Sequence, residues 1–313
     1  MEFNHIPIMK DEVLNGLNIK SSGIYVDCTV GGAGHASLIA EKLDKKGMLI
    51  CFDQDEDAIR VSKERLSKYN NTNIKVIRSN FEYIKERLSE LGIEKVDGII
   101  ADLGVSSYQF DNVERGFSYK DREALLDMRM DKDSDIDAIY VLNNYSESEL
   151  IRIFRDYGEE RFSKRIASNI IKFRQENKIL KVGELIDIVL DSIPLKTRIG
   201  VLHPEKRVFQ ALRIEVNKEL DVLKNSLFDM IKILNEEGRL VIITFHSLED
   251  RIVKHMYKEA EDSCTCKKIS PICVCGMESL GKVITRKPII PTEEEIEYNS
   301  RAKSSKLRIF ERR

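Results

Sequence analysis

The chain carries no excess of charge of one sign. In 313 residues, 51 Lys and Arg stand against 53 Asp and Glu, a formal net charge of −2. That balance excludes a globally basic nucleic-acid coat and leaves room for local basic patches. Long hydrophobic runs are missing too, so no helix is expected to span a membrane. The first residues, Met1-Glu2-Phe3-Asn4, lack a basic segment followed by an apolar one, and no secretory signal is expected. Six cysteines are too few for a disulfide scaffold in so long a chain, which points to a reducing, cytoplasmic setting. Internal repeats and low-complexity tracts are absent. What is present is 42% hydrophobic and 33% charged, a composition that excludes a disordered chain and allows a full core.

Short apolar runs rich in β-branched residues cover Ile24 to Val30, Met48 to Phe52, Ile74 to Ile77 and Val96 to Ala101. Charged, helix-like segments such as Ala58 to Tyr69 and Phe81 to Leu91 separate them. This alternation predicts an α/β fold with a mainly parallel, Rossmann-like sheet covered on both faces. The rhythm then stops, and the next strand signal is Leu240 to Phe245. The interval reads as helical. Ser146 and Glu149 form a capping box ahead of Leu150, Ile153, Phe154 and Tyr157. Phe162, Ile166, Ile170 and Phe173 mark a second helix, and Val182 to Leu190 a third. Residues 113–205 are thus expected to form a helical insertion in an α/β core of 1–112 and 206–313. Val208 to Leu234 keeps helical spacing and predicts two helices ended by Glu237-Gly238. Leu307 to Phe310 predicts an edge strand.

The first strand runs into Asp27-Cys-Thr-Val-Gly31-Gly32-Ala33-Gly34-His35, a turn where missing side chains let the backbone approach a ligand. Asp53 ends the second strand, 22 residues after Gly31, the spacing at which an acid reaches a ribose. Phe81 follows the third strand and Asp102 the fourth. Ligands of open parallel sheets sit beyond such carboxyl ends. The glycine spacing departs from G-x-G-x-x-G, which favours a nucleoside with an amino-acid tail, such as S-adenosylmethionine, over a dinucleotide. A nicotinamide-dependent oxidoreductase and a non-enzymatic ribosome-assembly factor are the competing readings.

Several blocks then follow: Asp102-Leu-Gly-Val-Ser-Ser-Tyr-Gln109, Glu114-Arg-Gly-Phe-Ser118, Leu126-Asp-Met-Arg-Met130, Tyr157-Gly-Glu-Glu-Arg-Phe162, Arg207-Val-Phe-Gln-Ala-Leu-Arg213 with Asn217, Phe245-His-Ser-Leu-Glu-Asp-Arg251 and Ser300-Arg-Ala-Lys-Ser-Ser-Lys-Leu-Arg308. Over nearly the whole chain they resemble the MraW (RsmH) family of bacterial small-subunit rRNA cytosine-N(4) methyltransferases. The resemblance implies a class I S-adenosylmethionine-dependent methyltransferase with an inserted helical substrate domain. It implies a decoding-centre cytosine of 16S rRNA, in the small ribosomal subunit, as substrate. Its cofactor contacts fall on Ala33, Gly34, His35, Asp53, Phe81, Asp102 and Gln109. Where relatives carry Gly-Arg-Gly-Gly or similar, this chain has Gly31-Gly32-Ala33-Gly34, still small residues.

Cytosine's exocyclic amine is a poor nucleophile, because its lone pair is delocalised into the ring. Catalysis therefore rests on positioning and on an acceptor for the amine proton. Asp102, with Ser106 and Ser107, is the candidate acceptor loop, although it lacks a Pro-Pro-aromatic signature. His246 either orients the base or a phosphate, or caps the next helix with Ser247. For RNA phosphates the family blocks single out Arg207, Arg213 and Arg301, with Arg115 and Arg129 beside the crevice and a basic tail from Arg301 to Arg313. Finally, Cys264-x-Cys266 and Cys273-x-Cys275 gather four thiols within twelve residues. They fit a structural zinc site, reduced thiols, or disulfides in an oxidised sample. Cys28 and Cys51 read as core.

Overall fold

In the computed structural model, which describes residues 7–70, 72–199, 202–262, 264, 266, 275, 276 and 278–313, the apolar runs become strands. They are β1 (Ile24–Asp27), β2 (Met48–Asp53), β3 (Asn73–Arg78), β4 (Val96–Asp102), β5 (Leu234–Thr244), β6 (Gly281–Val283) and β7 (Lys306–Arg312). Among the described residues they form one sheet in the order β3-β2-β1-β4-β5-β7-β6. The first five pair in parallel, and β7 runs antiparallel between β5 and β6. This is the Rossmann-like class I methyltransferase sheet that the sequence predicts.

The helices are α1 (Lys10–Leu17), α2 (Gly34–Ala40), α3 (Glu56–Leu66), α4 (Ile84–Glu90), α5 (Ser107–Asp111), α6 (Ala138–Asn144) and α7 (Glu147–Asp156). Next come α8 (Ser163–Glu176), α9 (Val182–Ser192), α10 (Leu195–Arg198), α11 (Lys206–Asn217), α12 (Glu219–Lys232), α13 (Ser247–Glu261) and α14 (Glu293–Tyr298). The chain divides into two compact units, one of residues 1–104 with 220–313, the other Val105–Glu219.

In the first unit, alternate strand residues feed two cores, as the pleat requires. Val26, Ile50, Phe52, Ile99, Ala101 and Ile242 point to the face covered by Leu88 of α4, Leu223 and Leu227 of α12 and Tyr257 of α13. Tyr25, Leu49, Cys51, Ile100 and Ile243 point to the other face, against Leu17 of α1, Ile39 of α2 and Leu66 of α3. Cys28 and Cys51 are both buried in these cores.

Two strands differ from expectation. β5 begins at Leu234, which pairs with Val96; the polar Asn-Glu-Glu-Gly segment then bulges out of the ladder, and pairing resumes at Gly98 with Arg239. β6, only three residues long, carries no sequence signal. The expected edge strand Leu307 to Phe310 is β7, seated inside the sheet between β5 and β6, and it takes up Lys306, Arg308 and Arg312 of the expected basic tail.

The second unit is helical. Its core gathers Leu150, Ile153 and Phe154 of α7, Ile166 and Ile170 of α8, Leu185 and Val189 of α9, and Val208 and Leu212 of α11. The Ser146–Glu149 capping box is present, with Glu149 Oε2 accepting from the Ser146 amide at 2.7 Å. The unit is wider than residues 113–205, because α11 buries its apolar face in the helical core. Lys218, left-handed at φ 50°, separates α11 from α12. Among the described residues no helix is long and apolar enough to cross a membrane.

Candidate active site

From β1 the chain winds outward to β2 and β3, and from β4 it winds the other way to β5. The strand order therefore switches between β1 and β4, and ligands of open parallel sheets sit beyond the strand ends at such a switch. Each of these strands delivers a carboxyl group there: Asp27 from β1, Asp53 from β2 and Asp102 from β4. All three sit well above the ordinary aspartate range. Burial pushes Asp27 up to about 7, against the opposing hydrogen bond from the Thr29 amide. Burial likewise raises Asp102 to about 7, helped by the charge of Glu249. It raises Asp53 to about 6, although the amides of Asp55 and Gly31 oppose it.

The glycine turn is tied directly to Asp53. Gly31, left-handed at φ 47°, donates its amide to Asp53 Oδ2 at 2.9 Å. The amide of Asp55 donates to Oδ1 at 2.9 Å, and Asp55 in turn caps α3 by accepting from the Asp57 amide at 3.0 Å. One carboxylate thus joins the first loop to the start of α3. Arg65 on α3 braces the same loop, donating Nη1 to the Gly32 carbonyl at 2.7 Å. Ala33 is buried and left-handed at φ 59°, and Gly34 opens α2.

His35 is buried, and its Nε2 lies 2.9 Å from the Ile8 carbonyl. A carbonyl only accepts, so Nε2 holds the proton and Nδ1 is left bare. Burial also lowers the affinity of this ring for a second proton. Nδ1 faces Asp102 Oδ2 at 3.7 Å, so a neutral ring, and no counter-ion, stands beside that carboxyl. The Asp102 amide donates to Thr29 Oγ1 at 2.8 Å, but Asp102 Oδ1 is buried with no hydrogen-bond partner among the described residues. An orphaned acceptor on a buried acid is costly unless something else supplies a donor. The donor set fits S-adenosylmethionine: hydroxyl and ammonium donors for the carboxyls, and a positive sulfonium that favours their ionised forms.

Phe81 begins a short 3-10 turn after β3, capped by Asn80, whose Oδ1 accepts from the Glu82 amide at 2.9 Å. Its ring is half-buried against the α4 side of the sheet. At the end of β5, His246 is the N-cap of α13, its ring accepting from the Glu249 amide at 3.4 Å. The buried Glu249 carboxylate accepts the Phe245 amide at 2.8 Å in return. The capping geometry anticipated as one alternative for His246 is the one present.

In the second unit, Ser106 and Gln109 form a reciprocal capping box at the start of α5. Ser106 donates its amide to Gln109 Oε1 at 2.9 Å, and Gln109 donates its own to Ser106 Oγ at 3.2 Å. Ser107 is the first residue of that helix. The arginines singled out for RNA divide sharply. Arg115 is 3% exposed and donates to the carbonyls of Arg129 and Met130, so it clamps the chain instead of presenting charge. Arg129 makes a fork with Asp127 and also holds the carbonyls of Lys132 and Ser134. Asn217 fixes the same segment, accepting from the Met130 amide at 2.7 Å and donating to the Met128 carbonyl at 2.8 Å. Arg213 makes a two-point pair with Glu219. Arg207 is exposed.

Arg301, in the first unit, is exposed as well. Arg308, in contrast, is buried on β7 and paired with Asp250 at 2.6 Å, and Lys306 joins the same acid at 3.4 Å. Of the thiol cluster, Cys264, Cys266 and Cys275 lie close together, whereas Cys273 falls outside the described residues.

Sequence reasoning passed over Asp27 and Thr29 as site residues. The available signal was a charged residue closing an otherwise apolar strand immediately before the glycine turn.

Comparison with known proteins gives the family. Residues 2–313 match the MraW methylase family. Ribosomal RNA small subunit methyltransferase H 2 of Agathobacter rectalis is 54% identical over 312 residues, covering 100% of this chain and 99% of that protein. Ribosomal RNA small subunit methyltransferase H of Clostridioides difficile is 52% identical over 312 residues, covering 100% of both. Among solved structures, an rRNA methylase from Streptococcus thermophilus aligns at 11% identity and a TM-score of 0.43, over 97% of this chain and 93% of that one. With a family match across essentially its whole length and relatives more than half identical to it, the chain belongs to the MraW methylase family and is a methyltransferase.

Proposed function

We propose that this protein transfers the methyl group of S-adenosylmethionine to the exocyclic N(4) amine of a decoding-centre cytosine in 16S rRNA, acting in the cytoplasm on the small ribosomal subunit. The observation that carries the reading is the cluster of strand-end carboxyls about the β1/β4 switch point, where the buried Asp27 and the partly buried Asp53 and Asp102 accompany a glycine turn and Asp102 Oδ1 has no hydrogen-bond donor among the described residues. Family membership supplies the reaction class, and the curated relatives' names supply the RNA.

When bound, the cofactor supplies an electrophilic sulfonium methyl. Asp53 accepts the ribose hydroxyls while its other lone pairs hold Gly31 and Asp55. The Gly31–Gly34 turn admits the amino-acid tail, and Phe81 lies beside the adenine. As the cytosine nitrogen gains its methyl it becomes cationic and must shed a proton. Asp102, poised near neutrality and without a hydrogen bond on Oδ1, takes that proton. The neutral His35 ring leaves this acid uncompensated. His246 fixes the end of β5 through its cap on α13, and Ser106 fixes the start of α5 through its box with Gln109.

The helical unit Val105–Glu219 recognises the RNA. Arg207 and Arg301 contact phosphates, since both residues are exposed, while Arg115, Arg129 and Arg213 hold their own segments of the helical unit. A cytosine in folded RNA must also be splayed from its stack to reach the crevice. Nucleoside mass spectrometry of 16S rRNA from a strain lacking the gene tests the proposal. Loss of N(4)-methylcytidine, restored by the wild-type gene, is the expected result. An unchanged methylation pattern would refute it.

A further inference from the structure

The methyl-transfer reading leaves the cysteine cluster unused. It lies in the excursion between α13 and β6. That excursion has a fixed neck: the Leu280 amide donates to the Ala260 carbonyl at 2.8 Å, and the Val283 amide to Glu261 Oε1 at 2.9 Å. Within it, Cys264 Sγ and Cys275 Sγ are 3.8 Å apart, and Cys264, Cys266 and Cys275 place all three sulfurs within 4.8 Å of one another. A disulfide holds its sulfurs at about 2.0 Å, so the pair is not bonded. Thiolates around one tetrahedral zinc, each about 2.3 Å from the ion, are separated by roughly 3.8 Å. The observed spacing is therefore that of sulfurs sharing one ion.

Two further features agree. Gly276, directly after Cys275, is left-handed at φ 62°, a conformation that glycine adopts without strain. Cys266 is largely buried, so its thiol is withdrawn from solvent. All-sulfur ligation selects zinc over hard cations such as magnesium or calcium.

We propose that Cys264, Cys266 and Cys275 bind one structural zinc ion that staples the segment between α13 and β6. Binding replaces three thiol protons by one Zn²⁺, releasing three protons and changing no oxidation state. The site is far in sequence from Asp53 and Asp102, and it stands independently of the methyl-transfer reading.

The test uses the full-length, untagged protein, produced with zinc in the medium and purified under reduction. Elemental analysis is expected to find about one zinc per chain. The double variant C264S/C275S is expected to lose most of it while keeping the wild-type far-ultraviolet dichroism. Because that variant could fail to fold, the metal-stripped wild type is also titrated with cobalt(II). The expected result is strong sulfur-to-cobalt charge-transfer absorption with the visible bands of a tetrahedral thiolate site. Wild-type protein with far less than one zinc, stoichiometric zinc retained by a folded double variant, or cobalt spectra without thiolate bands would each overturn the proposal. So would a Cys264–Cys275 disulfide in protein handled under reduction.

Discussion

Raising the pH from 6 to 8 should tighten S-adenosylmethionine binding. Asp27 and Asp102 titrate near 7 in the ligand-free protein, and Asp53 near 6. A cationic ligand with hydroxyl and ammonium donors prefers their ionised forms, so binding expels protons. For one required carboxylate with a pKa of about 7, the ionised fraction climbs from about 0.1 at pH 6 to about 0.9 at pH 8. That is roughly a tenfold gain in affinity, and about a hundredfold if both must ionise. The sign for stability is opposite. These acids hold protons more tightly folded than unfolded, so their contribution is full below the ordinary aspartate pKa and is lost as pH rises through 6 to 7. The cofactor should therefore raise Tm more at pH 8 than at pH 6. Isothermal titration in buffers of different ionisation enthalpy measures both affinity and proton release. S-adenosylhomocysteine, lacking the sulfonium charge, should show a shallower pH dependence. An affinity flat within twofold from pH 6 to 8, with no protons released, would refute the reasoning.

Other substitutions separate the roles assigned above. Asp53→Asn removes a charge-assisted acceptor worth about 1.5–3 kcal/mol, so cofactor affinity should fall by about 10- to 150-fold in a direct titration; a change under threefold would remove Asp53 from the site. Asp102→Asn should lower kcat by about a hundredfold or more at saturating cofactor, and near-full turnover would end its role as proton acceptor. Changing Arg301 and Lys303 together to Ala should weaken RNA binding and reduce the slope of log affinity against log salt by about 1–2, leaving cofactor affinity alone; an unchanged slope would contradict the surface assignment. Gly98 has no room for a side chain, since an added Cβ would lie 2.7 Å from the Tyr25 ring. Gly98→Ala should cost about 1–3 kcal/mol through overpacking, visible as a Tm several degrees lower, and an unchanged Tm would show that the Tyr25 face of the sheet yields easily.

Much of the first unit is written locally in the sequence. Ile24, Met48, Ile74 and Val96 each open an apolar run at regular intervals, and the strands formed where those runs lie. Asp53 stood out because its distance from Gly31 and its place at a strand end are both local facts. The Ser146–Glu149 box was readable for the same reason, since both partners lie within one helical turn. Contacts across long sequence separations were not readable. Nothing near Arg308 reveals that Asp250 awaits it, and nothing near Met130 points to Asn217. Charge in a sequence says nothing about burial, so Arg115 and Arg213 looked like phosphate contacts until their partners were seen. Asp27 was passed over because one acid at a strand end resembles any solvated aspartate, and only the neighbouring strands show that water is excluded from it.

The central claim is most directly tested by following one methyl group. Small subunits from a strain lacking the gene are incubated with the purified protein and S-adenosylmethionine carrying a deuterated methyl, and the 16S rRNA is digested to nucleosides for mass spectrometry. Deuterated N(4)-methylcytidine with wild-type protein, and far less with Asp53→Asn, is the predicted result. Absence of label from cytidine, or label on another base, would contradict the account.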